Sequence, residues 1–404
     1  MSIKYPGGFI TKSSPTVVGP VGGEGGSAPG VWTFDQAMGY VKQGLWPKPS
    51  LPKQLWSWGL NANGQLGLGN QTSYSSPKQV GALTNWLQAS AGFYFTSATR
   101  KDGTLWSMGS NNNGQLGLGD VTGRSSPTQV GALTNWLQVA SGKYFTMAIK
   151  TNGTLWGWGQ NNTGQLGLGN TTNYSSPVQV GALTTWSQVE CGSLHTIATK
   201  TDGTLWSWGA GYIGQLGLGN TTYYSSPKQV GALTTWLKIS VMGGRTLAIK
   251  TDGTLWAWGE NYYGELGTGN STNYSSPKQI GALTNWLQIT SGRYHTLSTK
   301  TDGTLWTCGW NGYGQLGTGN TTNYSSPVQV GALTNWYQVA GGRHHSVATT
   351  TNGNLWSWGE NGSGQLGLAN TTSYSSPKQV GVLTTWSSLA KIGWAYTTLA
   401  IKTP

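Results

Sequence analysis

One tryptophan recurs every 50 residues without a slip, at Trp56, Trp106, Trp156, Trp206, Trp256, Trp306 and Trp356. A second column repeats the spacing at Trp86, Trp136, Trp186, Trp236, Trp286, Trp336 and Trp386. A third, at Trp58, Trp158, Trp208, Trp258 and Trp358, is interrupted only by Met108 and Cys308. So strict a period restricts the chain to repeat architectures, in which each unit buries its apolar face against its neighbours.

Within one repeat the pattern predicts a strand at Thr154–Gly159 and a long polar loop from Gln160 to Ser176. Three more follow at Val178–Gly181, Trp186–Cys191 and His195–Lys200, separated by Gly, Asn, Thr or Pro. Four short strands in about 50 residues describe a propeller blade. The fold expected is therefore all-β, a seven-bladed propeller of four-stranded blades.

Asp102-Gly103, Asn152-Gly153, Asp202-Gly203, Asp252-Gly253, Asp302-Gly303 and Asn352-Gly353 are two-residue hairpin signals. There are six such turns for seven Trp positions, so the missing one marks where the ring is cut. The chain enters at Lys53-Gln54-Leu55-Trp56 and leaves at Leu399-Ala400-Ile401-Lys402. These two ends are expected to pair, closing the ring and removing exposed sheet edges.

Composition agrees with a packed repeat. The 404 residues include 64 Gly and 23 Trp but only 8% charged residues, whereas disorder goes with few aromatics and high charge. The net charge of +12 reflects scarce acids, with 23 Lys and Arg against 11 Asp and Glu. The bases are dispersed through every repeat rather than gathered on one face, which argues against nucleic acid as a partner. Cys191 and Cys308 fall in non-equivalent columns, so no disulfide is expected between them. Neither a secretory signal nor a membrane span is visible, and no membrane insertion is expected.

The unit Asp202-Gly203-Thr204-Leu205-Trp206-Ser207-Trp208-Gly209, with Gly214-Gln215-Leu216-Gly217-Leu218-Gly219 and with Gly192, His195 and Thr196, resembles the regulator of chromosome condensation repeat family. The resemblance covers residues 51–404 and implies a seven-bladed propeller. In the founding eukaryotic member the propeller is a nucleotide-exchange factor that docks on chromatin. Exchange there depends on surface loops and a wedge that depart from the repeat. The gapless register here leaves no room for such an insertion, so that activity is not expected to carry over.

Residues 1–50 read as a separate segment. A Gly-rich arm, with eight Gly in the first 30 residues, precedes a short helix with Thr33 and Gln36 in capping-box spacing. Phe34, Ala37, Met38 and Val41 share one face and Gly44 can end it. Ala28 to Gln36 and Gly44 to Pro47 resemble a segment of tailed-phage structural proteins. Trp32, Phe34 and Trp46 either cap the ring or anchor a partner.

Little in the repeats looks catalytic. Asp102, Asp202, Asp252 and Asp302 occupy hairpin turns, where Asp serves the backbone. Glu190, Glu260, Glu265 and Glu360 form no evident pair, and His195, His295 and His345 share a column with Phe95, Phe145, Arg245 and Ala395 without accompanying acids. No enzyme, metal or cofactor is expected. Asn170-Thr171-Thr172 and its equivalents match the glycosylation sequon in six repeats but suit turns equally well. Lys150, Lys200, Lys250 and Lys300 are read as solubilising an edge.

The long loops are expected to emerge together on one face, with constant Gly and Leu flanks and variable tips. Trp310, Tyr313, Tyr262, Tyr263 and Tyr212 stand at those tips as candidate ligand-binding residues, for sugar rings or a protein surface, although drift at unconstrained tips gives the same pattern. These readings lead to an expected non-enzymatic virion component, a tail, fibre or capsid-surface protein. Other virion proteins would be partners through residues 1–50, and a host-surface glycan is a further candidate. The alternative is a stand-alone bacterial or extracellular lectin with several weak sites.

Overall fold

The structure is a computed structural model that describes residues 51–403 together with Asp35 and Met38. Asp35 and Met38 are helical and exposed, within the span where the short helix is expected. Trp32, Phe34, Trp46 and the Gly-rich arm lie outside the described residues.

Residues Lys53–Thr403 form one compact unit of seven four-stranded antiparallel sheets. In six of them sheet order follows chain order, as in Trp186–Cys191, His195–Lys200, Leu205–Gly209 and Tyr224–Gln229. The first strand of each blade is innermost, and Ser90, Ser141, Glu190, Ser240 and Ser291 from five such strands line one axial cavity of about 220 Å³. The seventh sheet is made from both ends of the chain. Trp386–Leu389 and Thr397–Lys402 supply its inner half, Gln54–Gly59 and Tyr74–Thr84 its outer half. Six consecutive pairs, from Gln54 opposite Lys402 to Gly59 opposite Thr397, close the ring, with Leu55 facing Ile401.

Two details differ from the sequence reading. The 50-residue unit is not a blade, because each blade takes its inner two strands from one unit and its outer two from the next. The outer strand also runs Tyr174–Gln179, not Val178–Gly181. Pro177 argued for a break there, yet proline is tolerated on a sheet edge. The ladder bypasses it, pairing Tyr174 with Gly159 and then Val178 with Gly157 across an irregularity.

Adjacent blades are fastened by one device used all round the ring. The carbonyl of Gln65, Gln115, Gln165, Gln215, Glu265, Gln315 or Gln365, in the loop before each outer strand, accepts from Thr96, Thr146, Thr196, Thr246, Thr296, Ser346 or Thr398 of the next blade. In five of the seven it also accepts from a Trp of the third column, as Trp208 Nε1 donates to Gln165 O at 2.9 Å. These indoles are fully buried, so their N–H groups need this partner. The loop must come close for the bond to form: at Gly167, with φ +75°, a Cβ would lie 2.7 Å from Trp208 Nε1.

The hairpin turns obey the chemistry expected of them. Asp202 Oδ1 accepts from the Thr204 backbone N–H and hydroxyl at 2.9 and 2.6 Å, and Asn170 Oδ1 likewise accepts from Thr172 N at 3.0 Å. The lysine column is a correction. Lys200 Nζ sits 3.6 Å from the centre of the Trp206 ring and 5.1 Å from that of Trp186. Lys150, Lys250 and Lys300 repeat the arrangement and are buried. Each ammonium caps two indoles instead of solubilising an edge.

Candidate functional site

Because strands alternate in direction, the short connection after each innermost strand and the long loop after each third strand emerge on the same face. That face gathers what varies between repeats. Trp310 packs edge-on against Tyr313 at 5.5 Å and approaches Tyr263 at 6.1 Å. Tyr294 and His344, from the short connections, complete the cluster: His344 lies 5.0 Å from Trp310 and stacks on Tyr313 at 5.4 Å. Its Nδ1 is 3.0 Å from Glu360 Oε2. Three of the five tip residues selected from sequence therefore meet. Tyr212 belongs to a separate patch with Tyr223, 6.2 Å away, beside Glu260 and the 58% exposed Tyr262.

The sequence reading overlooked the short connections. Phe93, Lys143, Arg293 and Arg343 come from four of them, and Trp394 from the longer one in the seam blade. Arg293 Cζ lies 4.6 Å from the Tyr294 ring and Arg343 Cζ 4.5 Å from Tyr396, so aromatic and cationic groups continue from Trp310 to the axis. Buried Arg245 holds part of this ground in place. It occupies a column filled by His or Phe in five other blades and, in the seam blade, by Thr397 opposite Gly59 rather than by Ala395, and it donates to the carbonyls of Gly292, Arg293 at 2.6 Å and His295 at 2.8 Å. A charged residue in a column with Phe or His at five of its seven positions was the available signal.

His195, His295 and His345 do not converge. Each lies in a different blade and points Nε2 at a hydroxyl of the next, Thr246, Ser346 and Thr398 at 3.4, 2.9 and 2.8 Å. Those hydroxyls already donate to Gln carbonyls, so Nε2 carries the proton and Nδ1 is bare. Burial pushes His195 and His345 down to about 3. Among the described residues no group of three His, Cys, Asp or Glu side chains is placed to hold a metal. Both cysteines are free and buried. In the axial cavity Lys391 reaches across to Glu190. No helix among the described residues is long and apolar enough to cross a membrane.

A family model described as RCC1-like domain matches residues 134–400. Models of the regulator of chromosome condensation (RCC1) repeat match residues 54–99, 102–149 and 86–115. Among solved structures, human WBSCR16 is 22% identical with a TM-score of 0.78, covering 87% of this chain and 99% of its own. Yeast RCC1 (Prp20), bound to Kap60, is 22% identical with a TM-score of 0.77, covering 87% and 89%. A second Saccharomyces cerevisiae Prp20p structure, described with its binding properties to Gsp1p and histones, is 21% identical with a TM-score of 0.77, covering 87% and 92%. No curated protein matches the chain in sequence.

These findings overturn the expected virion component, its lectin alternative, the virion or extracellular location, and the partners drawn from other virion proteins and host glycan. The family model over residues 134–400 is RCC1-like, and the yeast RCC1 structures match across 87% of the chain. The phage-like match rested on two short stretches within residues 1–50, of which only Asp35 is among the described residues.

Proposed function

Because this chain belongs to the RCC1-like domain family, we propose that it is a non-enzymatic protein-docking domain whose loop face receives an acidic protein partner. The observation that carries this reading is the contiguous belt of Trp310, Tyr313, Tyr263, Tyr294 and His344 running into Arg293 and Arg343. Trp, Tyr and Arg are the side chains that dominate the binding energy of protein interfaces. They sit on a rigid scaffold, so little entropy is lost on docking. A net charge of +12 favours encounter with an acidic surface. Tyr212 and Tyr262 form a second contact patch in this reading, and residues 1–50 a segment separate from the 51–404 propeller.

Several observations favour docking over catalysis. Glu360 is engaged by His344, Glu260 accepts from the Gly244 backbone, and Glu265 accepts from the Tyr263 backbone. The solved structures of yeast RCC1 are described by proteins bound, Kap60 in one and Gsp1p and histones in another.

The test is quantitative crosslinking in the native source, comparing wild type, Trp310→Ala/Tyr313→Ala, and Leu183→Ser on the opposite face. Acidic proteins captured by wild type and Leu183→Ser should be lost from the double variant. Equal capture by all three, or equal loss from both variants, overturns the reading.

A further inference from the structure

The short connections on the loop face form a second ring around the axis. Their backbones are tied in sequence, Phe93 N to Lys143 O, Ser193 N to Gly243 O, Arg293 N to Gly342 O and Arg343 N to Ala395 O, at 3.0 to 3.2 Å. Each begins with a glycine in five blades, because a Cβ at Gly92, Gly142, Gly192, Gly292 or Gly342 would lie 2.0 to 2.3 Å from the ring of the Phe or His three residues on. The ring is thus built tightly and leaves its second positions to point where the axis emerges.

Those positions carry Phe93, Lys143, Arg293 and Arg343, and the seam loop drops Trp394 among them. Trp394 is only 7% exposed. Lys143 Nζ lies 5.3 Å and Arg293 Cζ 4.9 Å from the centre of its indole. Lys143 Nζ and Arg343 Cζ lie 5.6 and 5.5 Å from the centre of Phe93. Three cations therefore share two touching rings, whose own centres are 6.1 Å apart.

Among the described residues none of the three is in a salt bridge. Glu360, the nearby acid on this face, is taken by His344, and Glu260 accepts from Gly244 N. Arg293 Nε, Arg343 Nε and Trp394 Nε1 are buried donors with no acceptor. Like charges held together around unused donors are unfavourable unless an anion joins them. Burial, followed by the charges of Arg293 and Arg343, lowers the Lys143 ammonium from its ordinary value.

We propose that this axial mouth is a phosphate-binding site, in which Lys143, Arg293 and Arg343 surround a tetrahedral dianion and Trp394 Nε1 donates to one of its oxygens. Three cations approaching from three blades suit a doubly charged tetrahedral group better than a planar carboxylate, which one guanidinium satisfies alone. The proposal shares Arg293 and Arg343 with the docking belt but adds Lys143 and Trp394 at the axis, and Trp310, on which the docking test turns, takes no part in it.

Isothermal titration of the full chain with inorganic phosphate, against sodium chloride at matched ionic strength, tests it. One phosphate per chain should bind, with affinity at least tenfold weaker in Arg343→Gln and in Lys143→Gln and unchanged in Trp310→Ala. Trp394→Phe, which keeps the plug but removes the donor, should weaken binding severalfold, and thermal melts of each variant confirm folding. O-phosphoserine as second titrant reads the source: binding as tight as phosphate or tighter assigns a phosphate ester, and weaker binding assigns free phosphate. Absence of a saturable heat, equal heat from chloride, or unchanged affinity in both Gln variants overturns the proposal.

Discussion

Acidification to pH 5 should weaken the propeller through its buried histidines, and replacing His195 and His345 with phenylalanine should remove their share of that sensitivity. His195 and His345 have no exposure, and each uses Nε2–H on a hydroxyl of the next blade, leaving Nδ1 unpartnered between blades. Charging either ring puts a proton on Nδ1 in a dry interface, which is why burial holds both at about 3. An unfolded histidine titrates near 6.5. Below that value the unfolded chain binds protons that the folded ring refuses, so stability is full above pH 6.5 and falls as pH drops toward 3. At pH 5 the difference is about 2 kcal/mol per histidine, or about 4 kcal/mol for the two, and His295 acts in the same direction. Phenylalanine fits the column, as Phe95 and Phe145 show, and there Thr146 and Thr196 still donate to Gln115 and Gln165 without an imidazole. Urea unfolding of wild type and His195→Phe/His345→Phe at pH 8 and pH 5 measures the effect. Carboxylates contribute equally to both proteins and cancel. If both lose the same stability on acidification, the buried neutral imidazoles are not the source.

Four other outcomes are expected. Removing residues 397–404 deletes the strand that pairs with Gln54–Gly59, and a melting curve should show loss of the cooperative transition; a melt like that of the full chain refutes closure. Gly167→Ala must fit a Cβ against Trp208 Nε1, whereas Gly181→Ala, at φ +58°, meets nothing within 4 Å; the second should cost about 1 to 2 kcal/mol from backbone strain alone, and thermal denaturation should show the first costing clearly more. Arg245→Met leaves the Gly292 and His295 carbonyls without this donor and should cost about 2 to 3 kcal/mol by urea titration. Lys200→Met keeps the cover over Trp186 and Trp206 but removes the charge, and should cost about 1 kcal/mol.

What the sequence made legible was whatever the repeat states many times over. The Trp columns, the Asp-Gly turns and the one missing turn led to the blade count and to the pairing of Leu55 with Ile401, because backbone needs of that kind are written locally. The outer strand was misplaced because Pro177 and its two preceding serines look like a loop, and only a neighbouring strand reveals that an edge can absorb a proline. Trp310, Tyr313 and Tyr263 were selected as departures from the repeat, and they do meet. Lys143, Arg293 and Arg343 are departures too, but 50 or more residues apart in three-residue connections; their meeting is a product of ring closure, which the local pattern does not show. The lysine column was misread because its burial depends on two tryptophans, one from each of the strands flanking its own.

The fastening repeated at every blade boundary has a further consequence. In an open stack of repeats the terminal unit holds on by one boundary, so such arrays peel from their ends. Here Gln365 grips Trp58 and Thr398 just as Gln165 grips Trp208 and Thr196, so every blade has two boundaries and none is terminal. Detaching any one blade must break both at once. The ring should therefore open as a whole or stay shut, and native-state hydrogen exchange should give the innermost strands of all seven blades one common opening free energy, with no gradient from the seam.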